Sequence, residues 1–215
     1  MKIYVVGNSK NRFLPLDNIR EKFLIDQKHE GDNIDFLNPW YCELTALYYL
    51  WKHVDDDIVG LEHYRRYFWY NNHLLDENTI KNTLQEHDII CIRNGYSYQR
   101  PPRTWLEKNG KWNDMQKFLI FIKKYVGENY YNACIAHLNS NWHALGNMFI
   151  AKKSVADEYC EFIFDLLFKY TEAEKYFSRP IPYRIMGYFT EFLLGAWIIF
   201  NNKKYSFHGL NFIRR

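Results

Sequence analysis

Asn38-Pro39-Trp40-Tyr41-Cys42-Glu43-Leu44-Thr45-Ala46-Leu47-Tyr48-Tyr49-Leu50-Trp51-Lys52-His53, followed past Asp55-Asp56-Asp57 by Ile58-Val59-Gly60-Leu61, carries the reading of the fold. Asn38 is a good helix N-cap, and Pro39 suits the first helical position, where a missing N–H costs nothing. Trp40, Leu44, Leu47, Tyr48 and Trp51 recur at helical spacing, so the pattern predicts a helix from Pro39 to about His53. The acidic triplet ends it. Ile58 to Leu61 is a short continuous apolar run that suits a parallel strand buried on both faces.

Outward from this helix-to-strand unit the same alternation recurs. Ile3 to Val6, closed by Gly7-Asn8-Ser9, reads as a first buried strand, and Lys10 to Asn38 as a long polar loop with a turn at Gly31-Asp32-Asn33. Asp76 caps a helix to about Glu86, and Asp88 to Ile92 follows as a strand. Residues 101–111 read as loop, Asp114 to Tyr125 as helix, and Gly146 to Ile150 as strand. Ser154-Val155-Ala156-Asp157 opens a helix to about Tyr170; after the break at Pro180 and Pro182 come a helix from Arg184 to Phe200 and a strand from Lys203 to Phe207. The expected fold is a single α/β domain over residues 1–215, a mostly parallel Rossmann-like sheet flanked by helices with right-handed crossovers.

Composition narrows the function classes. A net charge of +3 from 28 basic and 25 acidic residues is too mild for a duplex-binding footprint, so no nucleic-acid partner is expected from charge. Cys42, Cys91, Cys134 and Cys160 lie far apart with no C-x-x-C pair, which fits a reduced, cytoplasmic compartment. The apolar run at the N-terminus is too short for a signal peptide, and no stretch reaches the length of a membrane-spanning helix. A peripheral contact with the inner face of a membrane stays compatible with this. Aromatic residues make up 19%, and their flat faces suit stacking on sugars or bases.

In an open parallel sheet, ligands bind beyond the carboxyl ends of the strands. Asp55-Asp56-Asp57 resembles a metal-holding D-x-D motif, but it precedes its strand and so lies at the wrong end. The carboxyl end carries Glu62-His63-Tyr64-Arg65-Arg66 instead, whose guanidiniums, imidazole and phenol offer donors for a diphosphate. Arg184, Tyr188 and Glu191 fall on one helix face among apolar neighbours, where a carboxylate is pushed toward general-base chemistry. His137, Trp142 and His143 cluster before Asn147, a grouping suited to holding a sugar. No Walker, G-x-G-x-x-G, G-x-S-x-G or H-E-x-x-H motif occurs, which removes the entry signals of kinases, dehydrogenases, hydrolases and zinc proteases.

Gly31 to Ile34, Asn38 to Tyr48, Trp51-Lys52, Gly60 to Phe68, Asn147 to Ile150, Tyr159-Cys160 and Arg184 to Glu191 together resemble the DUF4422 capsular and exopolysaccharide glycosyltransferases. The resemblance covers nearly the whole chain. It implies a GT-A-like nucleotide-binding sheet and transfer of a hexosyl unit, galactofuranosyl among the candidates, from a UDP-sugar to a surface-polysaccharide or lipid-linked glycan acceptor. On that basis Glu191, Arg65 and His63 are expected to be catalytic, with Glu191 as base. Asp32, Asn33, Asn38, Glu43, Thr45, Glu62, Tyr64 and Arg66 are expected at the donor, and Trp142, His143, Asn147 and Arg184 at the acceptor. Gly7-Asn8-Ser9 and Leu37 depart from the family's Thr-His-Lys and Lys, which bears on donor preference. Glu62, His63 or an acid elsewhere in the chain are the candidates for a manganese or magnesium ion, so metal dependence stays open. The competing class is non-catalytic: a carbohydrate-binding or single-stranded nucleic-acid-binding α/β domain, the latter because His63 to Phe68 interleaves basic and aromatic residues.

Overall fold

The computed structural model describes residues 1–71, 73–93, 101–207 and 209–212. Its sheet runs in the order β2 (Arg20–Leu24), β1 (Lys2–Gly7), β3 (Ile58–His63), β7 (Ala144–Lys152), β6 (Ile89–Arg93), β8 (Tyr205–Phe207). β2, β1 and β3 are mutually parallel, as are β6 and β8, while β7 lies antiparallel to both β3 and β6. Five of these six strands therefore point one way and β7 alone runs against them, giving the expected α/β sheet in mixed form. Because of that reversal, the start of β7 meets the carboxyl ends of β3 and β6. β4 (Arg66–Tyr70) folds back from β3 and carries β5 (His73–Leu74) and β9 (Gly209–Phe212).

Alternate side chains of each strand enter two cores. Val59, Leu61, Phe149, Ala151, Ile89 and Cys91 face the larger one, shared with α2 (Leu44–His53), α5 (Trp112–Tyr125), α6 (Glu128–Leu138), α7 (Lys153–Tyr176) and α8 (Ile185–Phe200). Ile3, Ile90, Ile92, Met148 and Ile150 face the smaller one, closed by Ile80 and Leu84 of α3 (Glu77–Glu86). Asp76 caps α3 as expected, its carboxylate accepting from Thr79 N at 2.9 Å. Helix α8 is apolar nearly all round and correspondingly buried, with Glu191 the one acidic residue in it.

Several local expectations give way. Residues 20–24, read as loop, form the parallel edge strand β2, although only Arg20 and Phe23 of its side chains are buried. Residues 102–108, read as loop, form α4 (Pro102–Lys108), and α6 occupies a stretch to which the sequence pattern assigns no element. The helix expected from Pro39 to His53 is two helices, α1 (Asn38–Tyr41) and α2, separated at Cys42, whose φ of 53° is foreign to a helix. Asn38 lies inside α1 and makes no cap; Leu37 holds the N-cap position. Among the described residues no helix is long and apolar enough to cross a membrane.

Candidate active site

Glu43 is the residue around which a polar cluster at the carboxyl end of β3, hereafter the cleft, is built. It follows the break at Cys42, is 8% exposed, and accepts a hydrogen bond from Asn147 Nδ2 at 2.7 Å. The same Nδ2 donates to Gly187 O at 3.2 Å, which ties β7 to α8. Gly187 lies against Cys42 and Glu43: a Cβ built on it would make ordinary contacts at 3.5 Å to Cys42 Cβ and 3.7 Å to Glu43 Oε2. Arg184, at the start of α8, donates its backbone N–H to Pro39 O at 2.9 Å, and its charge acts on Glu43 and Cys42.

Three non-glycine residues with positive φ converge here: Cys42 at 53°, Asn147 at 54° and Arg184 at 62°. Such conformations cost of order 1 kcal/mol or more each and persist where the surroundings impose them, as at functional sites. Gly146, at φ 71°, joins them without that cost. A Cβ on it would lie 3.3 Å from Arg66 Nη1 and 3.6 Å from His63 Cε1, so both side chains reach over its backbone.

Two carboxylates and two imidazoles meet at this point. Glu191 Oε2 lies 3.6 Å from His143 Nε2, and the His143 ring stacks on Phe192 at 4.5 Å. Burial first, then the Glu191 charge, pushes Glu43 up to about 7. Burial, with the Arg66 charge behind it, holds His63 down at about 4, so its imidazole is neutral at neutral pH. His63 Nε2 is shut off from solvent and finds no partner among the described residues. The cationic character expected of this strand end therefore rests on Arg65 and Arg66 alone. Among the described residues no three His, Cys, Asp or Glu side chains converge as a ready-made metal cage.

The cleft thus brings together Glu43, His63, Arg66, His143, Asn147, Arg184 and Glu191 from the expected set. Others stand elsewhere. Glu62 points to the opposite side of β3 from His63, wholly buried, bound to Arg20 Nε at 2.7 Å and to Phe68 N at 2.9 Å. The alternation of a strand makes this unavoidable once His63 faces the cleft. Thr45 is 1% exposed and its hydroxyl donates to Cys42 O at 2.9 Å, so it shapes the turn that presents Glu43. Tyr64 packs over Gly7 beside Phe13, and the exposed Arg65 leans on the Tyr64 ring at 5.6 Å. One face of Trp142 is covered by Tyr205 at 5.1 Å, with His137 at its edge.

Asp32 and Asn33 lie in the loop beyond β2. Asp32 accepts from Tyr48 Oη at 3.1 Å, and Asn33 Nδ2 donates to His29 O at 2.8 Å. Asn33 also lines an open groove of about 410 Å³ with Asp26, His29 and Asp35. Asn38 connects this groove to α1, donating to Ile25 O at 3.4 Å, while its Oδ1 is buried without a partner among the described residues. The Asp55-Asp56-Asp57 triplet sits at the amino end of β3, where Asp56 pairs with the N-terminal ammonium of Met1 and Asp57 O accepts from Lys153 N at 2.8 Å. Sequence reasoning missed Cys42 and Gly146. Their signal is a backbone conformation, which residue type alone does not carry.

The raised Glu43 has a measurable consequence. Folded Glu43 keeps its proton up to about 7, whereas an unfolded carboxyl loses it near 4.5. Stability therefore falls as pH rises between those values and levels off above the higher one. Glu43→Gln keeps an acceptor for Asn147 and removes the titration. At about pH 8 it is expected to be more stable than the parent by about 1–3 kcal/mol, with the gap closing toward about pH 5. Urea unfolding across that range checks it, and parallel pH profiles for the two proteins would contradict the assignment.

The family model described as Domain of unknown function (DUF4422) matches residues 2–203, and the chain belongs to this family. No curated protein matches the chain. Among solved structures, the apo structure of the WbbM bifunctional glycosyltransferase is similar over 100% of this chain and 45% of its own, with a TM-score of 0.73 and 23% identity. The present chain therefore spans less than half the length of that protein, and what the likeness shows is a shared fold.

Proposed function

We propose that the chain is a GT-A-like glycosyltransferase that moves a hexosyl unit from a UDP-sugar to a hydroxyl of a surface-polysaccharide or lipid-linked glycan. The observation that carries this reading is the meeting of Glu43 and Glu191 with Asn147 and Arg66 in a strained cleft at the carboxyl end of β3. The likeness to a bifunctional glycosyltransferase supports it. In the proposed step the acceptor oxygen bonds to the anomeric carbon as the bond from that carbon to the diphosphate oxygen breaks. The hydroxyl proton passes to Glu191, and the electron pair leaves on the diphosphate, whose charge Arg65 and Arg66 offset. Neutral His63, protonated Glu43 and Asn147 form the packed wall behind the sugar, with Asn147 fixing Glu43. Asn33 and the groove beyond β2 take the nucleoside end. His143 Nε2, 3.6 Å from Glu191, orients the base.

Thermal-shift measurements with UDP, UDP-galactopyranose, UDP-galactofuranose and UDP-glucose, each with manganese and with EDTA, test this directly, because a ligand of the native state raises apparent stability. A rise with UDP and a larger one with a UDP-hexose is expected. No response to any uridine nucleotide, or a response to single-stranded oligonucleotides alone, would overturn it.

A further inference from the structure

Helix α5 shows solvent an unusual face. Lys117, Ile120, Lys123 and Lys124 recur along it at helical spacing, with Ile120 68% exposed in their midst. Beside it, between α5 and the end of α7, runs an open groove of about 440 Å³ whose lining includes the apolar Ile120, Phe121 and Phe177 and the charged Lys117, Lys124, Arg179 and Glu174. Phe177 is 60% exposed, and Tyr183, in the segment joining α7 to α8, is 69% exposed. Ile120 and Phe177, both exposed on one groove, mark an interaction surface, unlike single apolar side chains scattered over a protein.

Charge identifies the partner. Residues 101–125 hold six Lys or Arg against two Asp or Glu, and residues 176–184 add Arg179 and Arg184 with no acid. At the groove itself Lys117, Lys124 and Arg179 stand against Glu174, so its lining carries a net positive charge. Lys123 and Arg179 have Glu128 and Glu174 as neighbours, whereas Lys117 and Lys124 form no ion pair among the described residues. A second copy would bring two basic faces together, which costs energy. We infer that this face seats the protein on an anionic bilayer surface, Ile120 and Phe177 entering the headgroup boundary while Lys117, Lys123 and Lys124 meet lipid phosphates.

The 177–184 segment ends at Arg184, whose charge acts on Glu43 and Cys42. The segment on which the protein would rest thus adjoins in sequence a residue whose charge reaches Glu43. Membrane seating does not depend on the transferase reading, because it needs neither donor nor acceptor.

Vesicle co-sedimentation tests it with the full chain. Vesicles of phosphatidylcholine and phosphatidylglycerol in equal parts are expected to pellet the protein, and phosphatidylcholine vesicles to leave it in solution. Lys117→Glu with Lys124→Glu, and separately Ile120→Glu with Phe177→Glu, should each weaken binding about ten-fold or more, with circular dichroism and melting temperature matching the parent. Binding should also decline with added salt in the parent. Absence of binding to the anionic vesicles, capture by an acidic protein alone, or variants that pellet as well as the parent would overturn the inference. So would a dimer in solution that Ile120→Glu disrupts.

Discussion

Glu191→Gln is expected to lower sugar transfer about 10²–10⁴-fold while leaving UDP binding near the parental value, the range associated with loss of a positioned general base. Gln fills the same volume and accepts hydrogen bonds, but it takes no proton at neutral pH, so the folded chain survives while the chemical step fails. The placement favours Glu191 over Glu43 for this task. Glu191 retains 16% side-chain exposure in the cleft beside His143, whereas Glu43 is sealed against Asn147 and pushed up to about 7 by burial. Comparing kcat with the UDP dissociation constant separates the outcomes: a fall in both would mark a donor-binding role, and near-parental kcat would remove Glu191 from the mechanism. His143→Gln provides a second reading of the same site. A positioning imidazole should change the pH profile of kcat, and a merely structural one should not.

Arg20→Met should destabilise the fold by about 3–5 kcal/mol, the cost of leaving one member of a buried ion pair without the other. Arg20 and Glu62 are both 0% exposed at the side chain, joined at 2.7 and 3.1 Å, with Leu75 O and Asp17 completing the guanidinium's partners at 3.0 and 2.6 Å. Phe68 N donates to the same carboxylate, so the pair fastens β2, β3 and β4 to one another beneath the cleft. Adding Glu62→Leu to Arg20→Met should recover much of the loss, since a pair replaced by apolar groups of similar volume is often neutral. Urea unfolding of the four proteins in this cycle decides it. A single-variant cost below about 1 kcal/mol would show that the pair is far better solvated than its burial implies.

The pairing also explains why Glu62 was the least legible member of its motif. Glu62-His63-Tyr64-Arg65-Arg66 reads as one cluster of donors, but consecutive strand residues face opposite ways, and a choice of facing for His63 fixes that of Glu62. Neither the motif nor its spacing says which of the two looks into the cleft. Arg20, which takes the Glu62 carboxylate, lies 42 residues away in a segment that read as loop. The resemblance assigns Glu43 to the donor, Asn147 to the acceptor and Glu191 to the base. Their meeting in space depends on the break at Cys42, which a continuous helical pattern through Trp40, Leu44, Leu47 and Tyr48 conceals.

By itself the sequence determined the layered α/β plan, because strand runs and helical periodicities are local properties that need no partner to be read. It also placed the capped start of α3, the apolar helix that ends in Phe200, and Arg65 and Arg66 at a strand's carboxyl end. The tertiary structure alone decided the reversal of β7, the turn at Cys42 and the opposite fates of Glu43 and Glu62 as two buried carboxylates. Each of these depends on which distant group supplies a hydrogen bond or a charge in a water-poor interior. That identity is set by packing between segments far apart in the chain, and the residues on either side of a position do not encode it.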